Sequence, residues 1–204
     1  MNQIAPLPQT GAKLTVLNPM GYPPKVTRKT PAPRPETLDG KVIYLVDCRF
    51  DDSIELLKQV KAWFQRHMPS VDARIVSLSA YYGHDDPKTW EEIKKNGDAA
   101  IIGVGHCSTC APAVATHAIT IDTKYGVPTV ALHTDKFVKV VRSTAAMAGL
   151  PQAPAVFVPQ PVMGKSAAEL EAYVNGNDPV TGRPVMQEVV EALTLAMQEV
   201  PAGA

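Results

Sequence analysis

The chain has 204 residues, 45% hydrophobic and 20% charged, enough for one well-formed core and short for two. Its twenty Lys and Arg balance twenty Asp and Glu, so no global field points to nucleic acid or to an anionic membrane as a partner. No apolar run approaches the roughly 20 residues of a membrane span, and the N-terminus lacks the charged start and apolar stretch of a signal peptide.

Residues 1–39 hold eight of the nineteen prolines. Proline fixes its own φ and lacks an amide donor, so this stretch is expected to be an extended arm, either disordered or strapped over a neighbouring subunit. The apolar patch Leu14 to Leu17 favours the strap. The α/β domain is expected over 40–204. Val42 to Val46 is an apolar, β-branched run that predicts a strand buried on both faces. Asp52 or Ser53 is placed to cap a helix with Ile54, Leu57, Val60, Trp63 and Phe64 on one stripe. Ala73 to Leu78 predicts a second strand, and Pro87 opens a helix that stops at Asn96-Gly97. A third strand is expected over Ala99 to Val104, then a helix from Cys107 to about Lys124 that Gly126 terminates. Val127 to Leu132 predicts a fourth strand, followed by a helix capped by Asp135 and ending at Gly149. Ala155 to Val158 predicts the fifth strand. Two helices follow, near Ser166 to Val174 and Val185 to Val200.

Five strands alternating with helices predict a doubly wound, flavodoxin-like parallel sheet with helices on both faces and strand order 2-1-3-4-5. Ligands of such sheets bind outside the carboxyl ends of the strands. The residues placed there are Asp47, Cys48 and Arg49, then Tyr81 and Tyr82, then Gly105, His106 and Cys107, then His133, Thr134 and Asp135, and finally Gln160. Cytoplasmic cysteines read as core fillers, metal ligands or reactive thiols rather than as structural disulfides.

The sharpest local signal is Gly103-Val-Gly-His-Cys107-Ser-Thr-Cys110. A thiolate at a helix N-terminus is stabilised by the unpaired amides and the macrodipole, which favours Cys107 as nucleophile. Cys110, three residues on, is placed to resolve a mixed disulfide or sulfenate, with Ser108 and Thr109 supplying hydroxyl donors. His133 is the candidate general acid or base, and Cys48 a further catalytic candidate. His106, Ser108, Thr109, Asp47, Arg49 and Thr134 are the candidate substrate contacts. No metal is assigned, although Cys107 and Cys110 with His106 and His133 would make a zinc set. Gly103 and Gly105 do not complete a dinucleotide fingerprint and read as sites of close backbone packing, and no cofactor is expected. His117 reads as a packed helix residue, His67 and His84 as surface or turn residues, and Arg142 as a surface cation.

The stretch Asp98 to Cys110 resembles the core of the UGSC family of selenoproteins and their cysteine homologues, named for a selenocysteine-Gly-Ser-Cys motif. Cys107 falls on the selenocysteine position and Cys110 on the cysteine, with Ser108 and Thr109 in place of Gly-Ser. The likeness continues through Tyr125 to Val130, His133 to Phe137 and Leu150-Pro151, and upstream through Leu17-Asn-Pro19 and Leu38 to Lys41. It implies that a reactive chalcogenolate matters at position 107. A weaker similarity, to the aspartate/glutamate racemase superfamily, would pair Cys48 with Cys107.

The leading expectation is a cytoplasmic thiol-dependent redox enzyme acting on a small molecule. The alternatives are a cysteine-dependent isomerase, lyase or hydrolase acting on a small organic acid, or a metal-binding or partner subunit of a larger enzyme. An oligomer is expected from the arm and from the apolar stripe of Val189, Val190, Leu193 and Met197.

Overall fold

The computed structural model describes residues 25–79 and 81–195. Five strands form one parallel sheet: β1 (Val42–Asp47), β2 (Asp72–Ser77), β3 (Ala99–Gly105), β4 (Thr129–Thr134) and β5 (Ala155–Val158). Their order is β2-β1-β3-β4-β5, every neighbouring pair parallel, as the alternating pattern predicts. β3 and β4 are buried along their whole length, because helices cover both faces.

One face carries α1 (Ser53–His67), α5 (Ala167–Asn175) and α6 (Val185–Thr194). The other carries α2 (Pro87–Asn96), α3 (Cys110–Tyr125) and α4 (Val138–Met147). α1 buries Leu56, Leu57, Val60 and Phe64, with Ile54 and Trp63 only half-buried. Each fully buried side chain of this size contributes about 1.5–3 kcal/mol. Its N-cap position is Asp52, but that residue sits in the left-handed region (φ 56°) and caps no amide. Its carboxylate instead accepts from the Gly164 amide at 2.7 Å, tying the β1–α1 turn to the β5–α5 loop. α2 has Asp86 as cap and Pro87 in its first turn. α3 ends at Gly126, whose left-handed conformation (φ 73°) closes the last turn.

Several boundaries differ from the sequence reading. β4 runs from Thr129 to Thr134 because Val127 still closes the end of α3, its amide bonding the Ile121 carbonyl. Asp135 does not cap α4. It opens a 3-10 turn through Phe137, and its carboxylate accepts from the Gln160 amide at 3.0 Å. α4 stops at Met147, two residues before Gly149. β3 reaches Gly105, and its register with β4 shifts between Ile102 and Gly105. The Gly103–Val104 and Gln160–Pro161 peptides are cis.

The patch Leu14 to Leu17 lies outside the described residues, but residues 25–39 pack against this domain. The Lys29 amide bonds the Gly149 carbonyl, the Ala32 amide bonds Asp122 at 2.7 Å, and Leu38 is buried in the core. Arg34 reaches Asp122 at 2.6 Å with both side chains 2% exposed. A buried charge needs such a partner, so this pair fixes the segment to the end of α3. The apolar stripe of α6 is likewise internal: Val189 and Leu193 are fully buried in the core and Val190 packs against it. Met197 lies outside the described residues. The described arm and the α6 stripe therefore no longer argue for an oligomer.

At the edge of the sheet, the buried carboxylate of Asp178 accepts from the Phe157 amide of β5 at 2.7 Å, and from Val180 and Thr181. No described helix is long and apolar enough to cross a membrane.

Candidate functional site

β1 and β3 are neighbours whose outgoing connections run to opposite faces of the sheet, which makes their carboxyl ends the topological switch point. The loops leaving them carry Arg49 to Asp52 and His106 to Thr109. Cys107 and Cys110 are joined there as a disulfide with Cα atoms 5.0 Å apart. The pair is in its oxidised form.

α3 begins at Cys110 rather than Cys107, and the offset has chemical meaning. Thr109 stands at the N-cap without a side-chain cap bond. The capping acceptor is the Cys107 sulfur, which receives the Cys110 amide at 3.0 Å and lies 3.3 Å from the Thr109 hydroxyl. The Cys107 carbonyl accepts from the Ala111 amide. A negative charge on this sulfur would face the helix N-terminus and two hydrogen-bond donors. Cys107 is half-exposed and Cys110 buried, so an incoming reactant meets Cys107 first. Ser108 is exposed.

An aromatic wall stands beside the pair, and of its members Phe50 was not anticipated from the sequence. Its ring lies 4.3 Å from Tyr82 and 6.2 Å from His106. Tyr82 is held from behind by His117, whose Nε2 pairs with the Tyr82 carbonyl at 2.7 Å. His117 is thus packed, as expected, and it anchors the loop after β2. The Tyr82 phenol is drawn below its usual pKa, first by Tyr81 and then by Thr109. Ser53, read from the sequence only as a helix cap, accepts from the Val104 amide at 3.3 Å and ties the start of α1 to β3. A buried serine at the start of a helix gives no sequence signal beyond capping.

The remaining candidates separate. Asp47 is buried and accepts from the Arg49 amide and the Ser77 hydroxyl at 2.9 Å each, so it shapes the turn. Arg49 is exposed, in the left-handed region at φ 62°. Cys48 is fully buried among Val46, Leu78 and Trp90. Burial, and secondarily Asp47, raise its pKa well above the usual thiol value, so it stays protonated.

His133 does not open onto the site. It is fully buried, its ring beside Gly105 and 6.0 Å from Phe157. Burial lowers its pKa to about 3 against a smaller upward pull from the Gly105 backbone, so the ring is neutral. Gly105 is required there because a Cβ would overlap the His133 ring and stand 2.9 Å from the Ala111 Cα. Gly103 likewise lies against Leu132, as the close-packing reading of both glycines expects. His106 is buried on the opposite face, its pKa lowered by burial despite Asp51 and Asp52.

Of the zinc set, the two cysteines are bonded to each other, and the two histidines lie on opposite sides of the sheet. Among the described residues, no three His, Cys, Asp or Glu side chains are placed to hold a metal ion.

Fold and site together define a doubly wound α/β protein with a Cys-x-x-Cys pair at its topological switch point. Residues 15–194 match the model of the UGSC family, and the chain belongs to that family. No curated protein matches it.

Proposed function

We propose that the protein is a thiol-dependent oxidoreductase for a small molecule, with Cys107 as nucleophile and Cys110 as resolving thiol. The observation that carries this reading is the half-exposed Cys107 sulfur, bonded to a buried Cys110 and capping α3 through the Cys110 amide at 3.0 Å. In the oxidised form, a donor thiolate attacks the Cys107 sulfur and Cys110 leaves as a thiolate that takes up a proton. A second donor thiol completes reduction of Cys107, with the donor leaving as its own disulfide. The Cys107 thiolate then attacks a reducible sulfur of the substrate, expelling one thiol. Cys110 attacks the resulting mixed disulfide and releases the second thiol, so two electrons pass from the dithiol to the substrate. The reading places the protein in the cytoplasm, where thiol donors regenerate the pair.

A non-redox reaction using Cys48 or His133 is less well supported. Cys48 and His133 are both fully buried, and burial favours the neutral form of each.

The test is alkylation of the reduced protein by iodoacetamide across pH, with mass spectrometry locating the adduct. Cys107 is expected to react first, with an apparent pKa well below the ordinary value of about 8.5. A Cys107 that stays inert until the protein unfolds would defeat the proposal.

A further inference from the structure

Among the buried polar atoms that lack hydrogen-bond partners, three stand at the carboxyl ends of β3, β4 and β5: His106 Nε2, Thr134 Oγ1 and the Gln160 side-chain oxygen. His106 and Thr134 share one side of the sheet. Leu132 and Val158 face α1, α5 and α6, and two-residue alternation along β4 puts Thr134 on that same side. Gly105 pairs with His133 and lies against its ring, so His106, the next residue, falls on the opposite face, level with Thr134. The Gln160 amide nitrogen points to the His106 carbonyl at 3.5 Å, which brings the two side by side and leaves the amide oxygen as the free acceptor.

Burying unpaired polar groups is costly, and native proteins seldom keep three together without a partner for them. On the thiol reading above, we infer that His106, Thr134 and Gln160 form a subsite for a neutral donor–acceptor group, such as a primary carboxamide, on the molecule that reacts at Cys107. The amide N–H donates to the Gln160 oxygen, while its carbonyl accepts from the Thr134 hydroxyl or His106 Nε2. A carboxylate fits poorly. It has no proton for the Gln160 oxygen, and the neighbouring carboxylates are Asp51, Asp52 and Asp135.

The subsite is tested by disulfide capture on the Cys110→Ser protein, which cannot resolve an adduct. The probes are the symmetrical disulfides of β-mercaptopropionamide, β-mercaptopropionate and isopentyl thiol, equilibrated with β-mercaptoethanol and read by intact-protein mass spectrometry. The Cys107 thiolate attacks one probe sulfur. A new S–S bond forms, the other half departs as thiolate and is protonated, and no external oxidant or reductant is consumed. The carboxamide probe is expected to label Cys107 at about tenfold lower concentration than the other two, the worth of about one hydrogen bond to a buried partner. Thr134→Val and Gln160→Leu, each in the same background, should reduce that preference to about twofold or less and leave isopentyl labelling unchanged. Equal labelling by all three probes, or a preference that survives both substitutions, overturns the subsite alone. Failure of every probe to label Cys107 overturns the thiol reading, and the subsite with it.

Discussion

Acidification should destabilise this fold through one buried imidazole. His133 titrates near 6.5 in an unfolded chain and near 3 in the native protein. Above pH of about 6.5 both states hold it neutral and it contributes no pH dependence. Below that, the unfolded chain binds a proton that the native site refuses, so stability falls by about 1.4 kcal/mol per pH unit until the native pKa is reached. At pH 5 the accumulated loss is about 2 kcal/mol, and at pH 4 about 3.4 kcal/mol. The assay is urea unfolding of the wild type and His133→Leu near pH 7.5, 6 and 5, followed by tryptophan fluorescence. At neutral pH the leucine variant should be as stable as wild type or about 1 kcal/mol better, since it removes two unpaired buried nitrogens. Between pH 7.5 and 5 the difference should move a further 2 kcal/mol or so in its favour. His106 remains in both proteins and cancels. A stability difference that does not change with pH would refute the reasoning.

Gly105→Ala should cost about 3 kcal/mol or more, because the new Cβ meets the Ala111 backbone as well as the His133 ring. For a chain of this size that lowers Tm by roughly 6–12 °C in a thermal melt, and a variant melting with the wild type would contradict the packing described. Asp122→Ala should cost about 3–5 kcal/mol by stranding the buried Arg34 guanidinium. Adding Arg34→Met should recover part of that loss in the same melt. No recovery would show that the ion pair is not what fixes residues 25–39.

Much of the architecture was legible because strands buried on both faces must be apolar. Val42 to Val46 and Ala99 to Val104 have no other plausible destination, and Gly97, Gly126 and the Pro87 turn punctuate the chain between them. The cysteine pair was legible from spacing and from its place after β3. The start of α3 was not, because the first capping acceptor is a sulfur three residues upstream of the helix rather than a serine or aspartate. Nor was the destination of the two histidines. The shift between Ile102 and Gly105 resets which face each later residue of β3 takes, so His106 and His133 part company although the sequence suggests that both serve one site. Asp52 and Asp135 read as caps from residue type alone. The structure instead uses their carboxylates to bind backbone amides of the 160–164 loop. Local sequence holds no trace of contacts made with chain more than twenty residues away.

The carboxylate of Asp178 has a consequence for how this protein keeps to itself. A strand at the rim of a parallel sheet offers its outward amides to any extended peptide, which is how sheets recruit foreign strands and how aggregates grow. In β5 the Phe157 amide is already claimed by Asp178, and the same carboxylate gathers the Val180 and Thr181 amides of the turn laid beside it. The opposite rim, β2, carries the charged pair Asp72 and Arg74 on its exposed positions. One rim is plugged and the other is charged, so the sheet ends where the chain ends it.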